Sequence, residues 1–136
     1  MIRYFTALII GLLSLPLLAK SEITINIEKI DRDAEITICN NIENREITYR
    51  GVNVEKKEKE RWRFAKGNID CPCDAKCRRA VVKLEFEECA THRWDKKMTR
   101  CEVARDGTYR FIVIGDRDTK RNGTNIVAKS SEFKIQ

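Results

Sequence analysis

Alternation of apolar and polar residues is the dominant pattern after residue 21. Ile23, Ile25 and Ile27 alternate with polar side chains within residues 22–30. A period of two over this length predicts a β-strand with one buried face. Residues 34–39 repeat the pattern, which predicts a second strand directly after a short charged turn.

The third predicted strand spans residues 45–54 and changes phase in its middle. Ile47 and Tyr49 share one parity, whereas Val54 takes the other, and Gly51 lies between them. A glycine at a change of phase is typical of a β-bulge, because the extra residue needs a backbone conformation that a Cβ disfavours.

A fully charged segment follows at residues 55–61. Its charges alternate in sign, which predicts a solvated hairpin tip or a short turn of exposed helix. Trp62 and Phe64 then alternate with arginines and predict another short strand.

The second half of the chain repeats the strand pattern. Residues 82–86, with Val82, Leu84 and Phe86 on the inner face, predict a strand that ends near Cys89, and residues 98–104 predict a weaker one. The strongest strand spans residues 108–115 and is apolar on both faces, so it is expected at the centre of a sheet.

The last predicted strand region is 126–135, with Phe133 and Ile135 inward. In total the pattern gives seven to nine short strands separated by turn signals, without a helix of ordinary length. This predicts an all-β fold, an antiparallel β-sandwich.

The first residues resemble a secretory signal peptide. Arg3 precedes an apolar run over residues 4–18, which is about 15 residues long and therefore short of the roughly 20 that a membrane span needs. We expect a signal peptide at residues 1–19, cleaved after Ala19, and a single domain at residues 20–136. A second apolar run is absent, so a secreted protein without a membrane span in the mature chain is expected.

The charge of the chain is moderately basic. The 136 residues include 27 Lys and Arg against 21 Asp and Glu, a net charge of +6 that falls to +5 when the leader is removed. The two signs are interspersed, which indicates a solvated surface. A nucleic-acid partner is not favoured, because such sites cluster their basic residues with aromatics between them.

Six cysteines point to a disulfide framework. An even number in a small secreted domain predicts three disulfides, and the two cysteines separated by one residue in the loop at 71–77 are too close to pair with each other. The expected pairing joins Cys39 to this loop and the loop to Cys89 and Cys101.

The alternative is a zinc or copper(I) thiolate site, although the paired knuckles of structural zinc sites are missing. The disulfide interpretation implies neither metal nor cofactor. The cysteines are Cys39, Cys71, Cys73, Cys77, Cys89 and Cys101.

His92 is the only histidine and lies in a polar stretch, which predicts a solvent-exposed loop residue. A ribonuclease with one histidine, Glu85 or Glu87 as base and Arg93 as the cation is an alternative, since phosphodiester cleavage needs these three groups. The sequence contains no complete catalytic signature, so a protein that is not an enzyme is expected.

Aromatic and basic residues occur together at two places. Trp62, Arg63 and Phe64 form one group and Arg93 and Trp94 the other, and together they are candidates for an exposed patch that binds a protein or a glycan. The alternative is a core tryptophan covered by arginine side chains. Separately, Asn122 begins an N-glycosylation motif on a predicted loop.

Two resemblances complete the prediction. Residues 106–113 and 131–135 are similar to the last two strands of immunoglobulin-like and fibronectin III-like domains, in which a glycine and a tyrosine open the penultimate strand. Phe111 stands where the antibody pattern has cysteine, so the usual disulfide between the sheets is not expected from this strand.

The small size, the leader, the cysteines and the β-rich pattern also resemble the cysteine-rich secreted effectors with which fungi and other parasites act on their hosts. This resemblance implies a non-enzymatic, virulence-type binding protein that engages a host protein. The alternatives are an immunoglobulin-like recognition module for a glycan or receptor, and a small secreted hydrolase or ribonuclease.

Overall fold

The computed structural model describes residues 21–78, 80–116 and 125–136. All regular structure in these ranges is β-strand, and every strand pair is antiparallel, which confirms the all-β prediction. The ten strands are β1 (Ile23–Ile30), β2 (Ala34–Asn40), β3 (Ile47–Tyr49), β4 (Asn53–Glu58), β5 (Arg61–Lys66), β6 (Val82–Leu84), β7 (Cys89–Trp94), β8 (Gly107–Asp116), β9 (Asn125–Lys129) and β10 (Phe133–Ile135).

The strands form two sheets. Sheet A contains β1, β2 and β7 in that order, with β2 in the centre. Ala34, Ile36 and Ile38 of β2 are fully buried, as their alternation predicts.

Sheet B is built around β8, which confirms the prediction that residues 108–115 are central. On one side β8 pairs with β4 and then β3, and on its other side with β10 and then β9. β5 and β6 lie outside β4 and β3 respectively.

Interruptions next to β8 explain why there are ten strands rather than seven to nine. Tyr49 pairs with Gly115, and Asn53 pairs with Ile112. The four residue steps from Tyr49 to Asn53 therefore lie opposite only three residue steps of β8. This extra residue confirms the predicted bulge, and Gly51 there has a φ of 102°. The predicted strand at 126–135 is divided into β9 and β10 in the same way.

The buried side chains of both sheets form one hydrophobic core. Trp94 of sheet A makes an edge-to-face contact with Phe111 of sheet B, with ring centroids 6.1 Å apart. Phe111 also stacks on Phe133 at 4.9 Å. Aromatic packing across the two sheets therefore fills the middle of the molecule.

All six cysteines form disulfides, which confirms the framework and excludes a thiolate metal site in the loop. The predicted pairing is only partly right. Cys73 and Cys101 connect the loop to the following segment, but Cys71 pairs within the loop. Cys39 pairs with Cys89 because β2 and β7 are neighbours with these residues directly opposite. The disulfides are Cys39–Cys89, Cys71–Cys77 and Cys73–Cys101.

Several local predictions need correction. Residues 98–104 do not form a strand but a turn with one bridge between Lys97 and Val103. Phe86 lies beyond the end of β6 and is 39% exposed, so it is not an inner-face residue. The charged segment 55–61 includes most of β4, and its solvated hairpin tip is at Lys59 and Glu60.

Two predictions lie outside the described residues, namely the leader at residues 1–19 and the glycosylation motif at Asn122. Within the described ranges, the structure contains no helix of the length and apolarity that crossing a membrane requires.

Candidate functional site

The outer face of sheet B carries most of the unusual surface. Tyr109, Phe111 and Val113 of β8 point into the core, so the residues between them point to the opposite side. We call this surface the outer face, and it comprises Glu55, Trp62, Phe64, Arg110, Ile112, Ile114 and Val127.

Three of the six large exposed hydrophobic side chains of the described residues lie on this face. Phe64 is 68% exposed, Ile114 51% and Val127 52%. Ile114 and Val127 lie directly opposite each other on β8 and β9. Single exposed apolar residues are ordinary, but a group of them on one sheet face indicates a contact surface.

An ion pair and a stacked ring make the neighbouring part of the face rigid. The Arg110 guanidinium contacts the Glu55 carboxylate through two nitrogens, at 2.8 and 2.7 Å from Oε2. The same guanidinium lies 4.0 Å from the centre of the Trp62 ring. The pair is mostly buried, so its main role is to fix the orientation of Trp62 rather than to add much stability.

Two lysines, Lys57 and Lys129, lie at the border of the outer face. Lys57 makes a 3.7 Å ion pair with Glu132 and lies 5.8 Å from the centre of the Trp62 ring. Lys129 is opposite Ile112 on the same face, and the described residues give it no ion pair. The face therefore has exposed apolar side chains at its centre and one lysine at its border that has no ion pair among the described residues.

His92 lies inside the protein and not in a solvent-exposed loop, so that prediction is wrong. It is on β7, and its side chain is only 7% exposed. Nδ1 is 2.6 Å from Asp70 Oδ2, and Nε2 is 2.6 Å from Tyr49 Oη. Because a carboxylate only accepts, Nδ1 donates to Asp70, and in the neutral imidazole Nε2 accepts from the Tyr49 hydroxyl.

This chain of hydrogen bonds connects three parts of the fold. Tyr49 belongs to sheet B, His92 to sheet A, and Asp70 directly precedes the cysteine loop. Asp70 also accepts a hydrogen bond from the Arg93 main chain, at 3.2 Å. The network therefore attaches the start of the loop to both sheets.

The electrostatics of the network favour a structural role. Burial opposes ionisation of Asp70, but hydrogen bonds from His92 and the Arg93 main chain outweigh it and hold the pKa of Asp70 below its usual value. Burial, reinforced by the charge of Asp70, raises the pKa of Tyr49 far above its usual range. Tyr49 is 2% exposed, so its hydroxyl has neither the access nor the acidity of a nucleophile at neutral pH.

The two predicted aromatic and basic groups do not form one surface. Trp62, Arg63 and Phe64 lie on β5 at the edge of sheet B, whereas Arg93 and Trp94 lie on β7 of sheet A. Trp94 is fully buried and donates its ring N–H to the Lys97 carbonyl at 3.1 Å, so it is a core residue. Arg93 is exposed and makes a 2.8 Å ion pair with Asp33.

Trp62 and Phe64 are predictable from the sequence as surface candidates, but the rest of the outer face is not. Ile112 and Ile114 give a signal, because both faces of their strand are apolar, but this pattern alone indicates only a central position in the sheet. Glu55 and Arg110 are 55 residues apart, and only the strand register shows that they meet.

Comparison with known proteins gives no match to any protein-family model, curated protein or solved structure. Within the described ranges, no cluster of three or more histidine, cysteine or acidic side chains is arranged to hold a metal ion.

Proposed function

We propose that this is an exported, non-enzymatic binding protein whose protein partner docks on the outer face of sheet B. The observation that carries the proposal is the exposure of Phe64, Ile114 and Val127 on one sheet face that also carries a pre-oriented tryptophan. Rigid aromatic groups beside apolar side chains are typical of interface centres.

Export is supported by the three disulfides, which form and persist in oxidising compartments, and by the apolar run at residues 4–18. The effector role is the specific form of this proposal. It is supported by small size, cysteine content and the exposed apolar side chains of the outer face, and a host protein is the proposed partner.

We also propose that the fold is an immunoglobulin-like β-sandwich. Its support is the division into a three-stranded sheet and a sheet built on β8, with aromatic contacts between them. In addition, the Tyr109 hydroxyl donates to the Arg105 carbonyl at 2.6 Å, as in the tyrosine corner of such domains. The departure is that Cys39–Cys89 joins neighbouring strands of one sheet rather than the two sheets.

The two alternatives have less support. A glycan-binding module would stack a sugar on Trp62, but Arg110 already covers one face of that ring. A hydrolase or ribonuclease would use His92, but both nitrogens of this buried ring are already hydrogen-bonded. We therefore place binding of a protein ahead of both.

The test compares three oxidised baits in extracts and on purified candidate proteins: the natural chain, the double variant I114E/V127E, and the control V103E/F86E. Val103 and Phe86 are 70% and 39% exposed and lie in turns outside the strands of sheet B, so both variants add two negative charges at exposed apolar positions. We expect partners retained by the natural chain and the control to be lost from I114E/V127E by about tenfold or more. Equal retention by all three baits, with normal circular dichroism, would contradict the proposal.

A further inference from the structure

The hairpin of β4 and β5 has a free edge with two different faces. Trp62 and Phe64 lie on the outer face, opposite Lys57 and Glu55 respectively. The other face of β5 carries Arg61 and Arg63, which are exposed, so sheet A does not cover them.

The main chain of β5 is also free along this edge. Lys59 and Glu60 have φ angles of 46° and 67° and form a two-residue turn closed by the Glu58 and Arg61 pair. In such a hairpin the closing pair exchanges main-chain hydrogen bonds, and the next pair does not. The amide and carbonyl groups of Trp62 and Phe64 therefore point away from β4, and the described residues provide them with no main-chain partner.

The other sheet edges are less accessible. β1 and β9 lie against each other, at the same side of the two sheets. On β7, the amide of Arg93 is already bonded to the Asp70 carboxylate. β6, the opposite edge of sheet B, and β10 are only three residues long, and the Leu84 carbonyl of β6 already accepts a hydrogen bond from the Asn40 side chain. Among these edges, β5 combines exposed side chains with a free main chain.

The positive charge of this edge favours a partner with acidic side chains. On the inner side of the hairpin, Arg61 has no ion pair among the described residues, and Arg63 has an exposed pair with Glu58 at 3.7 Å. Lys56 and Lys66 face the same side, because Lys56 is opposite the inward Tyr109 of β8 and Lys66 is opposite the inward Val54 of β4. A second copy of this edge would bring arginines together, so pairing of the chain with itself is disfavoured.

We infer that the free edge of β5 accepts, by strand addition, an extended peptide segment in which acidic and apolar residues alternate. Its main chain bonds Trp62 and Phe64, its acidic side chains lie beside Arg61 and Arg63, and its apolar side chains lie beside the two aromatic rings. The inference rests on the proposed binding function. It gives the class of peptide that would bind along β5, at one edge of the outer face.

The test uses a short blocked peptide of alternating glutamate and valine as the probe, with the oxidised full chain labelled for NMR. We expect shifts and slowed exchange of the Trp62 and Phe64 amides. The same peptide N-methylated at the residues that would bond β5 is expected to bind about tenfold more weakly, because it loses main-chain hydrogen bonds while keeping its side chains.

A charge-reversal variant of β5 provides the second part of the test. R61E/R63E is expected to bind the glutamate peptide about tenfold more weakly and to prefer a lysine and valine peptide. The control R32E/R100E makes the same change of net charge at exposed arginines elsewhere and is expected to bind as the natural chain does.

Three results would overturn the inference: equal binding of the N-methylated peptide, shifts at Ile112, Ile114 and Val127 instead of β5, or no binding of the glutamate peptide. Each would leave the outer-face proposal intact, because that proposal is tested by I114E/V127E and not by the main chain of β5.

Discussion

At the residue scale, one series of hydrogen bonds through Asp70, His92 and Tyr49 joins distant parts of the sequence. His92 and Tyr49 are 43 residues apart, and His92 and Asp70 are 22 apart. Both ring nitrogens of His92 are satisfied by these two partners. Removing either partner leaves a polar atom without its partner in the interior, which costs more than the bond itself contributes.

The first prediction concerns the Tyr49 hydroxyl. Tyr49→Phe leaves Nε2 of the buried His92 unpaired and is expected to lower the free energy of unfolding by about 1–3 kcal/mol. The control, Tyr109→Phe, removes a hydroxyl that bonds the carbonyl of the exposed Arg105, where water replaces it, so a smaller loss is expected. Denaturant titration of the oxidised proteins measures both, and equal losses would contradict the role of burial.

The second prediction concerns acid stability. The pKa of Asp70 is lower in the folded protein than its usual value, which is about 4 in the unfolded chain. Its ionised form therefore stabilises the fold above about pH 4, and this contribution is lost as the pH falls through the folded pKa. Asp70 is partly exposed, so we expect a modest effect.

Asp70→Asn tests this expectation. The variant should be less stable than the natural chain near pH 7, and the difference should narrow below about pH 4, as followed by denaturant titration across the acid range. A difference that stays constant with pH would show that the charge of Asp70 is not responsible.

At the scale of the elements, the disulfides differ mainly in the length of chain they close. Cys39–Cys89 joins residues 50 positions apart, Cys73–Cys101 28 and Cys71–Cys77 only 6. A longer closed loop removes more conformational freedom from the unfolded chain. The loop at 71–77 is therefore held by one disulfide to the following segment and closed on itself by the other.

The third prediction ranks these disulfides. C39A/C89A is expected to lose about 4 kcal/mol of unfolding free energy and C71A/C77A about 2 kcal/mol, with C73A/C101A between them. Thermal or denaturant unfolding of the three double variants provides the measurement. A loss from C71A/C77A that equals the loss from C39A/C89A would contradict this ranking by the length of the closed loop.

The positions of the elements could largely be predicted, because alternation in strands such as β1, β2 and β8 reflects burial of one face. The bulge at Gly51 was predictable for the same reason, since an extra residue inverts the phase. The location of His92 was not predictable. Its stretch is polar in sequence, but β7 pairs with β2, and this pairing turns His92 towards Tyr49.

At the scale of the whole molecule, two sheets share one core, and the three disulfides lie at or near its surface. On the opposite side from that core, Phe64, Ile114 and Val127 of the outer face are exposed among the described residues. The molecule thus combines a covalently constrained scaffold with an apolar surface, which is the arrangement that a small binding protein needs.

The fourth prediction concerns the oxidation state of the whole chain. All six cysteines are paired, so protein produced through a secretory route should show no reactive thiols when unfolded without reductant, and six after reduction. A thiol-labelling assay with intact-mass analysis measures this number. Free thiols before reduction would contradict the disulfide framework.

The sequence by itself determined the class of fold, the central position of β8 and the oxidation of the cysteines, because burial of alternate side chains and an even cysteine number are local or additive properties. Only the tertiary structure decided which cysteines pair, that Trp94 is a core residue, and that Glu55, Trp62 and Arg110 meet. These facts depend on which strands become neighbours and in what register, and contacts between residues far apart in sequence leave no local pattern.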